Sequence, residues 1–275
     1  MDISRQLAAD NACHGTVIAA GFQEAGRGRI RGRAWDAERG ASLPFTVMLR
    51  YPRIEDIPPA LTLRAGLAAA YAIEDFILSA QNNSNGEKLS INNEQLAVMV
   101  KWPNDIMIGG KKAAGILCEV NDGYAHLGIG INVMQTEFPA HLRDKAASIA
   151  LAIKNGLFAN NGGQVTVNSE KFAANGARYL LLEKLLARLY EELETDAGKN
   201  WKSRLEKRLF KKGGQVTFIE GAADSGKIVK GFLSGLGEGG ELLIVPEDGV
   251  EAKAFVTGEL IFTEQGSSTD YQKRD

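Results

Sequence analysis

The 275-residue chain lacks several features that would restrict its function at once. Its two cysteines, Cys13 and Cys118, cannot build a disulfide framework and do not have the spacing of metal ligands. No apolar run approaches the ~20 residues of a membrane-spanning helix, and the first ten residues show no signal-peptide pattern. Lys and Arg number 32 against 34 Asp and Glu, so the net charge of −2 argues against a chain-wide polyanion-binding surface. We therefore expect a cytoplasmic protein that is not associated with a membrane.

Glycine is the one residue type in excess, with 31 of the 275 residues, where ~7% is usual. Hydrophobic residues make up 44% and charged residues 24% of the chain, as in an ordinary globular protein. Tight backbone turns and close approaches to the backbone are therefore expected to matter here.

Residues 1–150 alternate short β-rich runs with one long helix, which apolar residues at helical spacing predict at 57–80. The stretch 81–95 is polar and Asn-rich without periodicity, so we expect a mobile surface loop there. Runs rich in Val, Ile, Leu and Met predict strands at 16–21, 43–51, 98–101, 114–120 and 125–133.

The chain from 150 to about 210 is predicted to be helical, with a leucine stripe over 169–195 that indicates core packing. Five short runs punctuated by glycine follow and predict a small β-barrel over 212–265. We expect two domains, 1–210 and 212–265, and a frayed tail at 266–275. The five predicted strands of the barrel are 215–220, 227–233, 241–246, 249–256 and 258–262.

The first segment that indicates chemistry, here called the Gly/Arg segment, spans residues 23–35 and reads QEAGRGRIRGRAW. Its glycines allow backbone N–H groups to approach a ligand, and its arginines match carboxylate or phosphate. A solvated basic loop or an RNA-binding segment is the alternative. The segment lies between two predicted strands and ends in Trp35, which favours a ligand site.

Two further segments carry polar residues at the ends of predicted strands. In the first, Lys101, Asn104 and Asp105 surround Pro103, and Gly109-Gly110 forms a hairpin turn that brings Lys112 onto the next strand. The second reads LGIGINV over 127–133, where glycines inside a strand indicate close approach by a ligand or by another backbone. A plain β-hairpin and a plain bulge are the alternatives that the residues leave open.

Taken together and in this order, these segments resemble the biotin protein ligases. The family's marks are an A-G-R-G-R-x-G-R-x-W loop, a K-W-P-N-D segment, a K-x-x-G-I-L strand and a G-x-G-I-N strand. They appear here at 25–35, 101–105, 112–117 and 128–132. The resemblance covers about residues 15–135 and implies an α+β fold: a catalytic domain like class II aminoacyl-tRNA synthetases, followed by a small Src-homology-3-like barrel.

The resemblance also implies a ligase that uses ATP and Mg²⁺. Biotin and ATP would give biotinyl-5′-adenylate and pyrophosphate, and a lysine of a biotin carboxyl carrier protein would then displace AMP. Lysine and arginine are needed because a carboxylate and a triphosphate must approach each other, and no enzyme nucleophile is required.

The residue roles are carried over from the family, position by position. The implied catalytic residues are Lys112, Arg27 and Arg29. The implied biotin-binding residues are Gln23, Gly26, Arg27, Lys112 and Gly115. The implied nucleotide-binding residues are Arg29, Arg33, Trp35, Lys101, Asn104 and Asn132, and Mg²⁺ would be held mainly by phosphates, near Asn104 and Asp105.

The chain departs from the family at three places. The strand that normally precedes the family's biotin-side S-T-N is missing. The pair Ile30-Arg31 stands where one residue is usual, and Arg5 stands where the family's biotin-side S-T-N has Asn. Three alternatives remain. A lipoate–protein ligase of the same fold would lack K-W-P-N-D, and a degenerate biotin-binding protein would not turn over. A DNA-binding repressor is disfavoured, because only about 20 residues precede the Gly/Arg segment and a helix-turn-helix domain needs ~50–60.

Overall fold

The computed structural model describes residues 1–30, 32, 34–35, 39–80, 98–158, 176–221 and 226–262. The chain divides into two compact units, Met1–Phe210 and Lys211–Asp275. Several features of the sequence analysis lie outside the described residues: Arg31, Arg33, the loop 81–95, the first turns of the helix expected from 169, and the tail 266–275.

The first unit is built on a six-stranded antiparallel sheet in the order β1-β4-β8-β7-β6-β5, which confirms the expected α+β class. Its three long strands, β4, β8 and β7, lie side by side at the centre, and β4 and β8 are buried along almost their whole length. The bounds are β1 (Thr16–Ala19), β4 (Ser42–Arg50), β5 (Val98–Lys101), β6 (Asp105–Ile108), β7 (Lys111–Asn121) and β8 (Tyr124–Asn132). A two-residue hairpin, β2 (Gly26–Arg27) and β3 (Ala34–Trp35), pairs the two ends of the Gly/Arg segment.

Helices cover one side of this sheet, because α2 packs against both α4 and the strands β5, β6 and β7. Alanines at helical spacing in α2 are fully buried, and small side chains allow the helix to lie close to its neighbours. Two leucines of the stripe predicted for core packing, Leu185 and Leu189, are buried in α4, and so is Leu181, which was not part of the predicted stripe. The other members of the stripe are half-buried: Leu182, Leu186 and Leu193. The bounds are α1 (Asp2–Ala9), α2 (Leu61–Ala80), α3 (Ile149–Lys154), α4 (Gly176–Glu194) and α5 (Trp201–Lys207).

The predicted start of α2 at residue 57 is wrong by four residues. Ile57 precedes a proline and is extended, with ψ 124°, because the proline ring excludes the helical conformation of the residue before it. Ala60 is left-handed, with φ 56°, so the helix begins only at Leu61.

The second unit is a five-stranded antiparallel sheet in the order β12-β11-β10-β9-β13. Phe218, Leu233 and Leu260 form part of its buried side. Gly258 allows β13 to lie close against the Phe218 side chain of β9, since a Cβ at this position would be 2.2 Å from the Phe218 ring. The bounds are β9 (Gln215–Glu220), β10 (Lys227–Leu236), β11 (Leu242–Pro246), β12 (Lys253–Phe255) and β13 (Gly258–Ile261). Four of them lie close to the predicted strands, whereas β12 covers three of the eight residues predicted at 249–256. No helix among the described residues of either unit is long and apolar enough to cross a membrane.

Candidate active site

The site is built on two glycines in the central strands of the first unit. Gly115 of β7 and Gly130 of β8 lie directly opposite each other. The Trp35 indole lies over this pair: a Cβ on Gly130 would be 3.0 Å from Trp35 Cε2, and one on Gly115 would be 3.3 Å from Trp35 Cζ3. The glycines therefore leave a flat floor on the sheet, which side chains would otherwise fill.

A cavity of about 860 Å³ opens above this floor. It is lined by α1, by the Gly/Arg segment, by the beginning of β4 and by the central strands. Seven of the sequence-predicted site residues line it together: Gln23, Arg27, Arg29, Trp35, Asn104, Lys112 and Gly115. Its volume is in the range of sites that enclose a small organic ligand.

Lys112 is aimed into the cavity and Lys111 is not. The Lys112 ammonium lies 2.6 Å from Asp105 Oδ1 and 5.8 Å from the centroid of the Trp35 ring. The Lys111 ammonium instead donates to the Arg143 carbonyl at 2.8 Å. Gly109 and Gly110 make the turn before them in the left-handed region, with φ 56° and 79°.

Asn104 is fixed at the turn between β5 and β6. Its side-chain amide donates to the Ile116 carbonyl at 2.9 Å, and its own carbonyl accepts from the Ile116 N–H. Both bonds tie the turn to β7 next to Gly115, and Asn104 lines the cavity with an amide oxygen that has no hydrogen bond to any described residue. Lys101, at the end of β5, is half-buried and is not part of the cavity lining.

Gly26 and Asn132 are placed beside the cavity rather than on its wall. A Cβ on Gly26 would lie 2.6 Å from the Trp35 carbonyl oxygen, so only glycine lets the two ends of the Gly/Arg segment pair. Asn132 is buried, donates to the Ala147 carbonyl at 3.1 Å and accepts from Gln135 at 3.1 Å. It therefore links β8 to the chain leading into α3.

The amino-terminal helix α1 places an ion pair at the edge of the cavity. Arg27 Nη2 lies 2.5 Å from Asp2 Oδ1, and this hydrogen bond lowers the pKa of the Asp2 carboxyl. Arg5, which stands at the departure from the family pattern, pairs with Asp2 at 3.0 Å and with Glu119. Arg5 is thus a structural link between α1 and β7.

Ser4 is held between α1 and β8. Its hydroxyl donates to the Met1 carbonyl at 2.7 Å and lies 2.9 Å from His126 Nδ1. Since the hydroxyl proton is already used, the Nδ1–H form of the imidazole donates to Ser4. Burial, with a contribution from Arg5, lowers the pKa of His126, which favours this neutral form.

Sequence reasoning missed two arginines of the cavity wall. Arg39 lies over the Phe22 ring, 4.7 Å from its centroid, and Arg178 donates to the Ser42 carbonyl at 3.2 Å. Both residues line the cavity. Arg178 opens the helix whose leucine stripe indicated core packing alone, and its distance of 136 residues from Ser42 in sequence left no local signal.

The cavity thus presents five cationic side chains, Arg27, Arg29, Arg39, Lys112 and Arg178, against the acids Asp2 and Glu24 in its lining. Such a site can hold two anionic groups close together and offset their mutual repulsion. Within the described ranges, no cluster of three or more His, Cys, Asp or Glu side chains could form a metal cage.

Comparison with known proteins gives a consistent result for the part of the chain that forms this site. Residues 3–135 match the model of the biotin/lipoate A/B protein ligase family. Two curated relatives are the bifunctional ligase/repressor BirA of Bacillus subtilis, 37% identical over 160 residues, and the biotin–[acetyl-CoA-carboxylase] ligase of Mycobacterium tuberculosis, 32% identical over 152. Each match covers 54% of this chain, and 42% and 50% of the respective relative, so the matched part is about half of their length or less.

A solved structure matches over more of the chain. The biotin protein ligase from Aquifex aeolicus, in complex with biotin and ATP, is 26% identical to this chain with a TM-score of 0.67. The match covers 94% of this chain and 92% of that one.

Proposed function

We propose, from the match of residues 3–135 to the model of the biotin/lipoate A/B protein ligase family, that this protein is an ATP-dependent ligase that attaches biotin to a lysine of a biotin carboxyl carrier protein. The observation that carries the proposal is the placement of Lys112 above the Gly115–Gly130 floor, inside a cavity lined by the Gly/Arg segment.

In the first half-reaction, a biotin carboxylate oxygen forms a bond to the α-phosphorus of ATP. The bond between the α-phosphorus and the bridging oxygen breaks, and pyrophosphate leaves with the electron pair. Both reactants are anionic, so the Lys112 ammonium between them lowers the barrier by neutralising charge that gathers in the transition state. Asp105, with Oδ1 2.6 Å from the ammonium, holds the Lys112 side chain in place.

Gln23 and the backbone around Gly26–Arg27 would hold the polar ring of biotin, with Gly115 against its apolar part. Arg29 and Arg33 would bind phosphate, and Lys101 and Asn104 would position the nucleotide. The amide nitrogen and the amide oxygen of Asn132 are both hydrogen-bonded within the protein. We therefore propose that Asn132 positions the strand beneath the nucleotide. Trp35 lies on the floor where the ligand belongs, so it must move and can then cover the ligand from the other side.

The residues at the turn before β6 fit Mg²⁺ held mainly by phosphate oxygens. That ion usually takes one or two protein oxygens and completes its shell with phosphates and water. Asn104 would supply its amide oxygen, and Asp105 the carboxylate oxygen that does not contact Lys112. When bound, the ion would offset the charge of the departing pyrophosphate.

In the second half-reaction, the amine of the carrier lysine attacks the carbonyl carbon of biotinyl-5′-adenylate. An amide forms, AMP leaves, and the amine gives up a proton. We assign the second unit to this transfer step and propose that it is the Src-homology-3-like barrel of the family, following a catalytic unit like that of class II aminoacyl-tRNA synthetases. A chain ending at Phe210 should lose transfer more than pyrophosphate release, and full-rate transfer by such a chain, if it folds, would contradict this assignment.

Pyrophosphate release on mixing the protein with biotin and MgATP is the test of the proposed function. Lipoate in place of biotin is the control, because the family includes lipoate ligases. We expect pyrophosphate release with biotin and MgATP, and no release with lipoate and MgATP. Release with lipoate but not with biotin would identify a lipoate–protein ligase. Biotin binding without pyrophosphate release would identify a biotin-binding protein that does not turn over.

A further inference from the structure

Arg178 is a cavity arginine that the family-based assignment leaves without a role. It lies in the first turn of α4, and its side chain crosses to the beginning of β4, where Nη1 donates to the Ser42 carbonyl at 3.2 Å. That is its one hydrogen bond within the described part of the chain. A guanidinium carries five N–H donors, so most of its donors remain for a ligand.

The register of the sheet places Ser42, which Arg178 contacts, close to the Gly115–Gly130 floor. Ser42 lies opposite Asn132 of β8, two residues beyond Gly130, and Gly130 lies opposite Gly115. Two residues along a strand span roughly 6–7 Å. Arg178 therefore enters the cavity about two strand residues away from the glycine floor, at the end of the floor nearer to Asn132 than to Gly128.

The ion pairing of Arg178 differs from that of the other arginine of α4. Arg188 is held by Asp75 at 2.7 Å and by Glu191 at 2.8 Å. Arg178 has no carboxylate within ion-pair distance among the residues that the structure describes. A cation that faces a cavity without an acid is suited to bind an anion that arrives with the ligand.

Arg39 adds a second positive charge in the same neighbourhood. It precedes Ser42 by three residues, stacks on Phe22, and lines the same cavity. Lys112 already serves the point where carboxylate and α-phosphate meet, so the charge around Ser42 suits the anionic groups that extend beyond the α-phosphate.

We propose that Arg178 binds the β- and γ-phosphates of ATP and stabilises the pyrophosphate as it leaves. This inference rests on the proposed function and adds to it a residue that contacts the leaving group. Arg178 would thus act only in the first half-reaction, because biotinyl-5′-adenylate no longer carries these phosphates.

The experiment compares Arg178→Ala and Arg178→Lys with Lys184→Ala, a control on the same helix that does not line the cavity. Three quantities are measured for each protein: the KM for ATP in pyrophosphate release, the Kd for biotin alone, and the rate of transfer to carrier protein from synthetic biotinyl-5′-adenylate. Losing hydrogen bonds to a charged group should raise the KM for ATP about 10–100-fold in Arg178→Ala. Arg178→Lys should recover part of this loss, and Lys184→Ala should behave as wild type.

Biotin affinity and transfer from the adenylate should stay within about twofold of wild type in all variants. An unchanged ATP dependence in Arg178→Ala would overturn the inference, and so would an equal loss of transfer from the adenylate, since Arg178 would then contact the AMP part. Binding of inorganic pyrophosphate, measured by calorimetry, tests the contact without turnover and should weaken in Arg178→Ala. A wild-type protein that binds pyrophosphate but forms no adenylate would contradict the proposed function alone.

Discussion

The arginines of the helix layer and those of the cavity wall are held in opposite ways. Behind the sheet, Arg208 makes a bidentate pair with Glu74 at 2.6 and 2.7 Å, and both side chains are less than a tenth exposed. Arg64 pairs with Glu192 in the same layer. At the cavity, Arg178 and Arg39 have no acid partner among the described residues, and the partner of Arg27, Asp2, is largely exposed.

This difference separates charges that hold the fold from charges that await a ligand. Removing one member of a buried pair leaves the other charge without compensation, which is strongly destabilising. A half-exposed cation in an open cavity contributes little to stability, because water solvates it. We therefore expect variants in the helix layer to change the free energy of unfolding, and variants in the cavity to change turnover.

The largest effect is expected for Glu74→Ala, which leaves the Arg208 guanidinium buried without its carboxylate. The free energy of unfolding should fall by about 3–5 kcal/mol, as measured by urea denaturation. The neighbouring variant Asp75→Ala breaks the half-exposed pair with Arg188 and should cost at most about 1 kcal/mol. Equal losses in the two variants would remove the distinction between buried and exposed pairs.

Lys112→Ala should reduce adenylate formation by at least ~10²-fold, the usual effect of losing an electrostatic contact to the transition state. Lys111→Ala should leave the rate nearly unchanged, since its ammonium bonds to the Arg143 carbonyl outside the cavity. Pyrophosphate release measures both. If the rates fell equally in the two variants, the direction in which each lysine points would not explain the effect, and the role of Lys112 would be contradicted.

A smaller effect is expected in the fluorescence of Trp35. The Trp35 N–H is buried without a hydrogen-bond partner in the part of the chain that is described, and the indole lies where the ligand belongs. Biotin with MgATP should therefore change the emission spectrum, while Trp102 and Trp201 are buried away from the cavity and should not respond. The change should vanish in Trp35→Phe, and its persistence there would contradict a movement of Trp35.

The smallest effect concerns His126, a third kind of group that is buried in its neutral form. Its pKa is lowered in the folded protein, so the unfolded chain binds more protons once the pH falls below the ordinary value of ~6.5. The stability that His126 contributes is therefore present above that pH and is lost as the pH falls toward 5. His126→Asn should unfold with a weaker pH dependence between 7 and 5 than His141→Asn, whose histidine is exposed. Parallel stability curves for the two variants would count against the role of His126.

The sequence predicted the parts of the molecule whose signals are local. Val98–Lys101 and Gln215–Glu220 were predicted with their observed bounds, because turn residues flank short β-rich runs. The nucleotide role of Asn132 was carried over from the family resemblance of the G-x-G-I-N strand. Its bonds to Ala147 and Gln135 depend on how the following chain returns to the sheet, which no local pattern encodes.

The cavity arginine Arg178 was missed for the same reason, because its contact joins segments that are far apart in the sequence. Arg178 stands before a leucine stripe whose burial is confirmed at Leu185 and Leu189, yet the direction of its own side chain depends on where α4 meets β4. The hairpin of β2 and β3 was also missed, because strands of two residues each are too short to give a periodic pattern.

Pyrophosphate release and urea unfolding, measured on the same samples of Lys112→Ala and Glu74→Ala, distinguish charges that serve the reaction from charges that stabilise the fold. We expect Lys112→Ala to unfold within about 1 kcal/mol of wild type while its biotin-dependent release falls at least ~10²-fold. We expect Glu74→Ala, at a urea concentration where it is still folded, to release pyrophosphate at a rate close to wild type. A Lys112→Ala protein that is fully active, or one whose lost activity is matched by lost stability, would contradict the claim that the cavity charges serve the reaction rather than the fold.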